Sequence, residues 1–339
     1  MEMAEENQEQ VPLSMDAIMK MLFRLSDKLT VRMINSLFGK NIPLDAKVIP
    51  ESEEIHRFSQ AEQGVEELRV DIILNISGER FHIEFQSVND TSMAVRMFEY
   101  GFAIAIREVK SYITDTGDGI RLDYPKQYVI FVEQNDSIPE HELMMKVTLW
   151  DGDVKEYRVP LMRYWTETVD SLGEKGLEPL LPLQIFKLRK GLEAIAKSKK
   201  PEAEKEKLTE AKLREMVGIY TEVTEKIRDL TDREVLTIYN AKEMLEALQH
   251  FSEYLYSRYR KYDEIESEAV KVSESKWSFI TKSADEGKKI MTKEMFLDGE
   301  NIEKIKKYSK LPDKDLVDVL RNLPQEIQTK YGSLGNLNV

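Results

Sequence analysis

The chain has 339 residues, 41% of them hydrophobic, a length comfortable for two domains and a composition able to bury a sizeable core. It has no cysteine, which excludes disulfides and thiolate metal sites, and its four histidines argue against a His-rich centre, so a metal here would be a hard ion bound by oxygen. A formal net charge of -13 predicts overall repulsion from nucleic acid, so contact with DNA would have to come from local basic patches and bound cations.

In chain order, the opening MEMAEENQEQ is acidic and polar with no apolar stretch of a signal peptide, which predicts a cytoplasmic protein. Residues 14–38 place Ile18, Leu22, Leu25, Leu29, Met33 and Leu37 at steps of three and four, with Gly39 as a stop, giving one amphipathic helix or two short ones. A weak strand interrupted by Pro50 is expected over 47–58, and a hairpin over 69–86. A helix over 92–110 follows. The aliphatic run near its middle, Gly101-Phe-Ala-Ile-Ala-Ile106, is far shorter than the roughly 18 residues of a membrane span. A strand over 127–132 and a second hairpin, 146–150 with 155–159, complete an α-β-β-β-α-β order with an appended hairpin, which predicts a mixed sheet with helices packed on it.

Beyond about residue 185 nearly every segment has helical period. A charged linker is expected over 197–207, then one helix with the stripe Leu213, Met216, Tyr220, Val223 and Ile227, and a second with Leu236, Tyr239, Met244, Leu248, Phe251 and Leu255. Thr231-Asp-Arg-Glu234 between them fits a capping box, and so short a join predicts an antiparallel pair. Three short helices close the chain, over 288–297, 302–308 and 313–323, spaced like a helix-turn-helix with Lys304, Lys306, Lys307 and Lys310 as positive charge. The last of them carries Asp313, Asp315 and Asp318, which favours packing or oligomerisation over base reading. The expected organisation is 1–185, 186–285 and 286–339.

The hairpin carries the chemistry. A two-residue loop at Ser77-Gly78 pairs residues whose numbers sum to 155, which puts Val70, Ile72 and Leu74 opposite Phe85, Ile83 and Phe81 on one apolar face. A slip of one residue would send each side chain of the moved strand to the other face, so this register is strongly specified. The second face then sets Asp71 opposite Glu84, Ile73 opposite His82, Asn75 opposite Arg80 and Arg69 opposite Gln86. Two carboxylates directly across a ladder repel each other. Solvation, a shared proton or a cation would relieve this, and Mg²⁺ is typically held by one or two carboxylates with water and substrate phosphate. The Phe85 carbonyl could add a third oxygen. His82 reads either as a proton carrier or, more simply, as a satisfied surface histidine.

Asp71, twelve residues, then Glu84-Phe85-Gln86 after Ile83 resembles the D…(E/D)-x-K signature of the PD-(D/E)XK nuclease superfamily. It is most similar to the branch of recombination-promoting nucleases and PD-(D/E)XK transposases, where Gln commonly replaces Lys. Asp16-Ala-Ile-Met-Lys20-Met-Leu-Phe23 resembles that family's N-terminal D-x-x-F-K-x-x-F, with Met19 for Phe, and Arg96-Met-Phe-Glu-Tyr100 resembles its R-x-x-x-Y. Leu180-Leu-Pro-Leu183, residues 293–299, Ile302-Glu-Lys-Ile305 and Leu311 resemble later landmarks, whereas residues 200–280 match least.

The resemblance implies a restriction-endonuclease-like core and Mg²⁺-assisted cleavage of DNA, with Mn²⁺ or Ca²⁺ as substitutes. Asp71 and Glu84 would hold the metal, and Gln86 would orient water without the charge a Lys brings. Lys20 would restore that charge, Asp16 would complete the metal site from the same helical face, and Arg96 and Tyr100 would contact phosphate or brace their helix. Double-strand cutting by a single-site nuclease would call for a homodimer. The alternative is a non-catalytic module that binds another protein through the same fold, favoured by the net charge and by Gln86. No phosphate-cradling or nucleophile-elbow motif is present.

Overall fold

The computed structural model describes residues 15–51, 54–58, 65–69, 71–86, 92–109, 122–276 and 284–332. The first amphipathic stretch is two helices, α1 (Met15–Leu22) and α2 (Asp27–Phe38). Ser26 divides them: its backbone is extended and its side chain accepts from the Leu29 N–H at 3.3 Å, an N-cap that starts a new helix. Gly39 ends α2 in the left-handed conformation, φ 59°, where a residue without Cβ is least strained.

Strands β1 (Val48–Pro50), β2 (Glu54–Phe58), β3 (Val65–Arg69), β4 (Ile72–Ile76) and β5 (Glu79–Gln86) follow, then α3 (Met93–Val109), β6 (Lys126–Phe131), β7 (Glu142–Thr148) and β8 (Val154–Arg163). Six of them form one mixed sheet in the order β1-β4-β5-β6-β8-β7, while β2 and β3 pair separately. β5 and β6 are parallel, joined by the crossover through α3, and β6 and β8 are parallel as well.

The hairpin register is the expected one, with Ile72 opposite Ile83, Leu74 opposite Phe81 and Asn75 opposite Arg80. Ser77 and Gly78 both have positive φ, 53° and 82°, the turn whose twist matches that of the strands it joins. The hairpin is shorter at its open end than expected. Arg69 belongs to β3 and sits opposite Glu54, so the Arg69–Gln86 pair does not form. Val70, the partner expected for Phe85, lies outside the described residues. The second hairpin is longer than expected, with Thr148 opposite Val154 and Glu142 opposite Pro160.

The helical half comprises α4 (Val169–Glu174), a 3-10 segment (Glu178–Leu188), α5 (Arg189–Lys197), α6 (Glu202–Asp232), α7 (Ile238–Tyr256), α8 (Tyr262–Lys276), α9 (Ala284–Leu297), α10 (Ile302–Ser309), α11 (Asp313–Arg321) and α12 (Gln325–Lys330). The expected charged linker is largely the first turns of α6. The capping box is not at Thr231, whose hydroxyl donates to the Ile227 carbonyl inside α6; it is at Thr237 and Asn240, which exchange side-chain and backbone hydrogen bonds at the start of α7. α6 meets α7 but packs most extensively against α8.

Both faces of the sheet are covered, as a sheet with a parallel centre requires. On one face Ile72, Leu74, Phe81, Ile83, Ile130 and Val132 join Ile18, Leu22 and Met33 in a cluster that continues without a break through Leu183, Met216, Met244 and Phe251 to Ala269. That core therefore crosses residue 185. On the other face Ile73, Val129, Phe131 and Leu161 pack under Met93, Met97, Tyr100 and Ile104 of α3. A third cluster joins Tyr239 of α7 to Met295, Phe296, Ile305, Leu316 and Leu320 of the last helices. Among the described residues no helix is long and apolar enough to cross a membrane.

Candidate functional site

Strand pairing sets the site, and then its interruption shapes it. Alternate residues of β5 face opposite sides of the sheet: Phe81 and Ile83 point to the α1–α2 side, and His82 to the side under α3. Glu84 shares the face of His82, one pleat along. Just before β4 begins, the Asp71 side chain takes over from the ladder: its Oδ2 accepts the Phe85 N–H at 2.7 Å, and the Asp71 N–H donates to Glu84 Oε1 at 3.0 Å. Asp71 and Glu84 are thus brought together and interlocked through each other's strands. Because the Gln86 carbonyl accepts from Val132 on the β6 side, the Phe85 backbone faces the opposite way, toward Asp71.

Glu84 is not solvated. It is 2% exposed, and His82, 0% exposed, lies with Nε2 at 2.8 Å from the same Oε1. The expectation of a surface histidine is therefore wrong. The alternating pattern marked this face as polar, but α3 closes over it, and burial is met by hydrogen bonds. Beyond His82, its Nδ1 is 3.0 Å from Gln127 Nε2, which also donates to the Met97 carbonyl at 2.6 Å, while Gln127 Oε1 accepts from the Tyr157 hydroxyl. Burial pushes the Tyr157 hydroxyl well above its ordinary pKa, so it stays a donor. Gln127 and Tyr157 were not among the expected site residues. The available signal was Gln127 itself, a polar side chain on the same face as Val129 and Phe131 in an otherwise apolar strand.

Gln86 lies half-buried two residues beyond Glu84 on the same face. Arg96 donates to the Tyr100 hydroxyl at 3.1 Å and stacks over its ring, with the guanidinium carbon 5.6 Å from the centroid; Tyr100 in turn meets His82 edge-on at 5.8 Å. Arg96 and Tyr100 thus meet within α3, and Tyr100 touches β5. Lys20 belongs to α1, in the layer on the other face, where Phe23 packs edge-on against Phe85 at 5.6 Å. The side chain of Asp16 lies outside the described residues. In the tail, Lys304 pairs with Glu300 and Lys306 with Asp313, each at 3.0 Å, so two of the lysines of the helix-turn-helix-like unit face carboxylates.

Among the described residues no group of three or more His, Asp or Glu side chains could hold a metal. The oxygen set of Asp71, Glu84 and the Phe85 carbonyl still fits a hard divalent ion, which usually takes one or two carboxylates and completes its shell with water and phosphate. Compared with known proteins, the chain matches no family model, no curated sequence and no solved structure.

Proposed function

We propose that the chain is a metal-dependent DNA endonuclease with a restriction-endonuclease-like core, similar to the recombination-promoting nucleases, working in the cytoplasm and as a homodimer where both strands are cut. One observation carries the reading: Asp71 and Glu84 interlock across the end of the β4–β5 ladder, with Asp71 Oδ2 on the Phe85 N–H and Glu84 Oε1 on the Asp71 N–H. Asp71, Glu84 and the Phe85 carbonyl would hold Mg²⁺. When bound, such an ion lowers the pKa of a coordinated water and neutralises charge on a scissile phosphate. Gln86 would orient water by donating and accepting hydrogen bonds; it brings no charge and no base at neutral pH. Lys20, which belongs to α1 on the opposite face of the sheet, would have to reach round the strand end to supply the positive charge that Gln86 lacks.

A second reading, a protein-binding module on the same fold, is favoured by the burial of Glu84 and by the net charge of -13. Plasmid nicking in Mg²⁺, Mn²⁺ or Ca²⁺ separates the two. The nuclease reading expects cleavage by the native chain and its loss in Asp71→Ala and Glu84→Ala. Equal cleavage by all three proteins would remove this active site, and no cleavage with any metal would favour the binding module.

A further inference from the structure

We infer that His82 is a positioning residue for Glu84, and that Gln127 holds its ring in the one tautomer able to serve; the inference rests on the metal-carboxylate reading of Asp71 and Glu84. The tautomer follows from a chain of donors and acceptors. A carbonyl can only accept, so the Gln127 amide atom 2.6 Å from the Met97 oxygen is the amino nitrogen. A flipped amide would set two oxygens against each other there and would leave the Tyr157 hydroxyl, now on Gln127 Oε1, facing an amino group. The same amino nitrogen is 3.0 Å from His82 Nδ1, which therefore accepts. The ring hydrogen is then on Nε2, 2.8 Å from Glu84 Oε1, where it donates.

Three strands thus contribute to one directed relay, from Tyr157 on β8 through Gln127 on β6 to His82 and Glu84 on β5. The close fit shows at Gly101 of α3, where a Cβ would lie 2.7 Å from the Tyr124 ring and 3.0 Å from Gln127 Oε1, so a side chain there would displace the Tyr124 ring and crowd the amide. At the other end, two donors converge on a single oxygen of Glu84, the His82 Nε2–H and the Asp71 N–H. They restrain the carboxylate and occupy Oε1, so that Oε2 would be the oxygen given to a metal. A ligand oriented in advance binds more tightly, and loss of such a supporting hydrogen bond typically weakens metal affinity about 10–100-fold.

Glutamine can place an amide donor where His82 has Nε2, whereas asparagine reaches only to the position of Nδ1. The test is Mn²⁺ titration calorimetry on the full chain for the native protein, His82→Asn, His82→Gln, Glu84→Gln and Asp71→Asn, together with ¹⁵N correlation spectra of the histidine rings in metal-free protein. His82→Asn is expected to weaken Mn²⁺ binding about 10-fold or more, and His82→Gln to recover most of that loss. A mere space-filling role would not produce that order. The native spectrum is expected to show the His82 hydrogen on Nε2. A hydrogen on Nδ1, or equal affinities for the two His82 variants, would overturn the positioning role while leaving the metal site standing if Glu84→Gln and Asp71→Asn abolish binding. Native-like binding by those two carboxylate variants, or no binding by the native chain, would overturn the metal reading and this inference with it.

Discussion

Glu243 gives the sharpest stability prediction because it is a buried carboxyl with one oxygen unsatisfied. It is 2% exposed at the junction of α7 with the last helices; one oxygen accepts from the Tyr239 hydroxyl and the other, Oε2, is buried with no hydrogen-bond partner. Burial raises its pKa from 4.5 to about 7, opposed by the Lys304 ammonium and the Tyr239 hydrogen bond and reinforced by Glu300 and Glu246. The folded state holds this proton more tightly than the unfolded chain, so the group costs nothing below the unfolded pKa; its penalty grows as pH rises from the unfolded value to the folded one and is complete above it. A rise of this size corresponds to roughly 3 kcal/mol once the group is ionised in both states. Glu243→Gln removes the charge and keeps the shape. Urea unfolding of both proteins should show the variant more stable by roughly 3 kcal/mol near pH 8.5, the gap narrowing to about 1 kcal/mol near pH 5. A variant less stable than the native chain near pH 8.5, or a gap that does not change with pH, would refute the reasoning.

Asn240→Ala removes half of the α7 capping box and the buried hydrogen bond from Asn240 Nδ2 to the Leu25 carbonyl, 3.0 Å, and should cost about 2–3 kcal/mol in the same unfolding assay. Asn240→Asp keeps the acceptor for the cap but faces Leu25 with a carboxylate, so it should be no better than alanine. Gly101→Ala forces its methyl into Tyr124 and Gln127 and should lower stability by about 1–3 kcal/mol in thermal melts. Gly39→Ala meets no neighbour within 4 Å and should cost only the backbone strain of its positive φ, about 1 kcal/mol.

The β4–β5 hairpin was legible because two independent constraints agreed: the alternation of Ile72, Leu74, Phe81 and Ile83, and a turn that takes positive φ at Ser77 and Gly78. Val65-Glu-Glu-Leu-Arg69 offered neither alternation nor turn, so β3 went unseen and Arg69 was assigned to the wrong strand. The capping box at Thr231 failed for a different reason. The pattern of a hydroxyl three residues before a carboxylate does not say whether a helix is beginning or still running, and α6 runs through Asp232 before Glu234 takes a φ of 59°. At the candidate site the carboxylates came from one hairpin and could be paired by counting. Their support came from β6, β8 and α3, which a crossover brings together across long sequence separations, so no spacing announced Gln127 or Tyr157.

The unbroken core beneath the sheet has a practical consequence for anyone dissecting this chain. A fragment ending near residue 185 would strip α7 from the Leu25 carbonyl, remove the Tyr256 hydroxyl from the Ile185 carbonyl, and bare the apolar underside of the strands that present Asp71 and Glu84. Any property lost in such a fragment would report collapse of its scaffold and say nothing of the role of Asp71 and Glu84. Point substitutions, which leave both halves clasped, are the sounder tool.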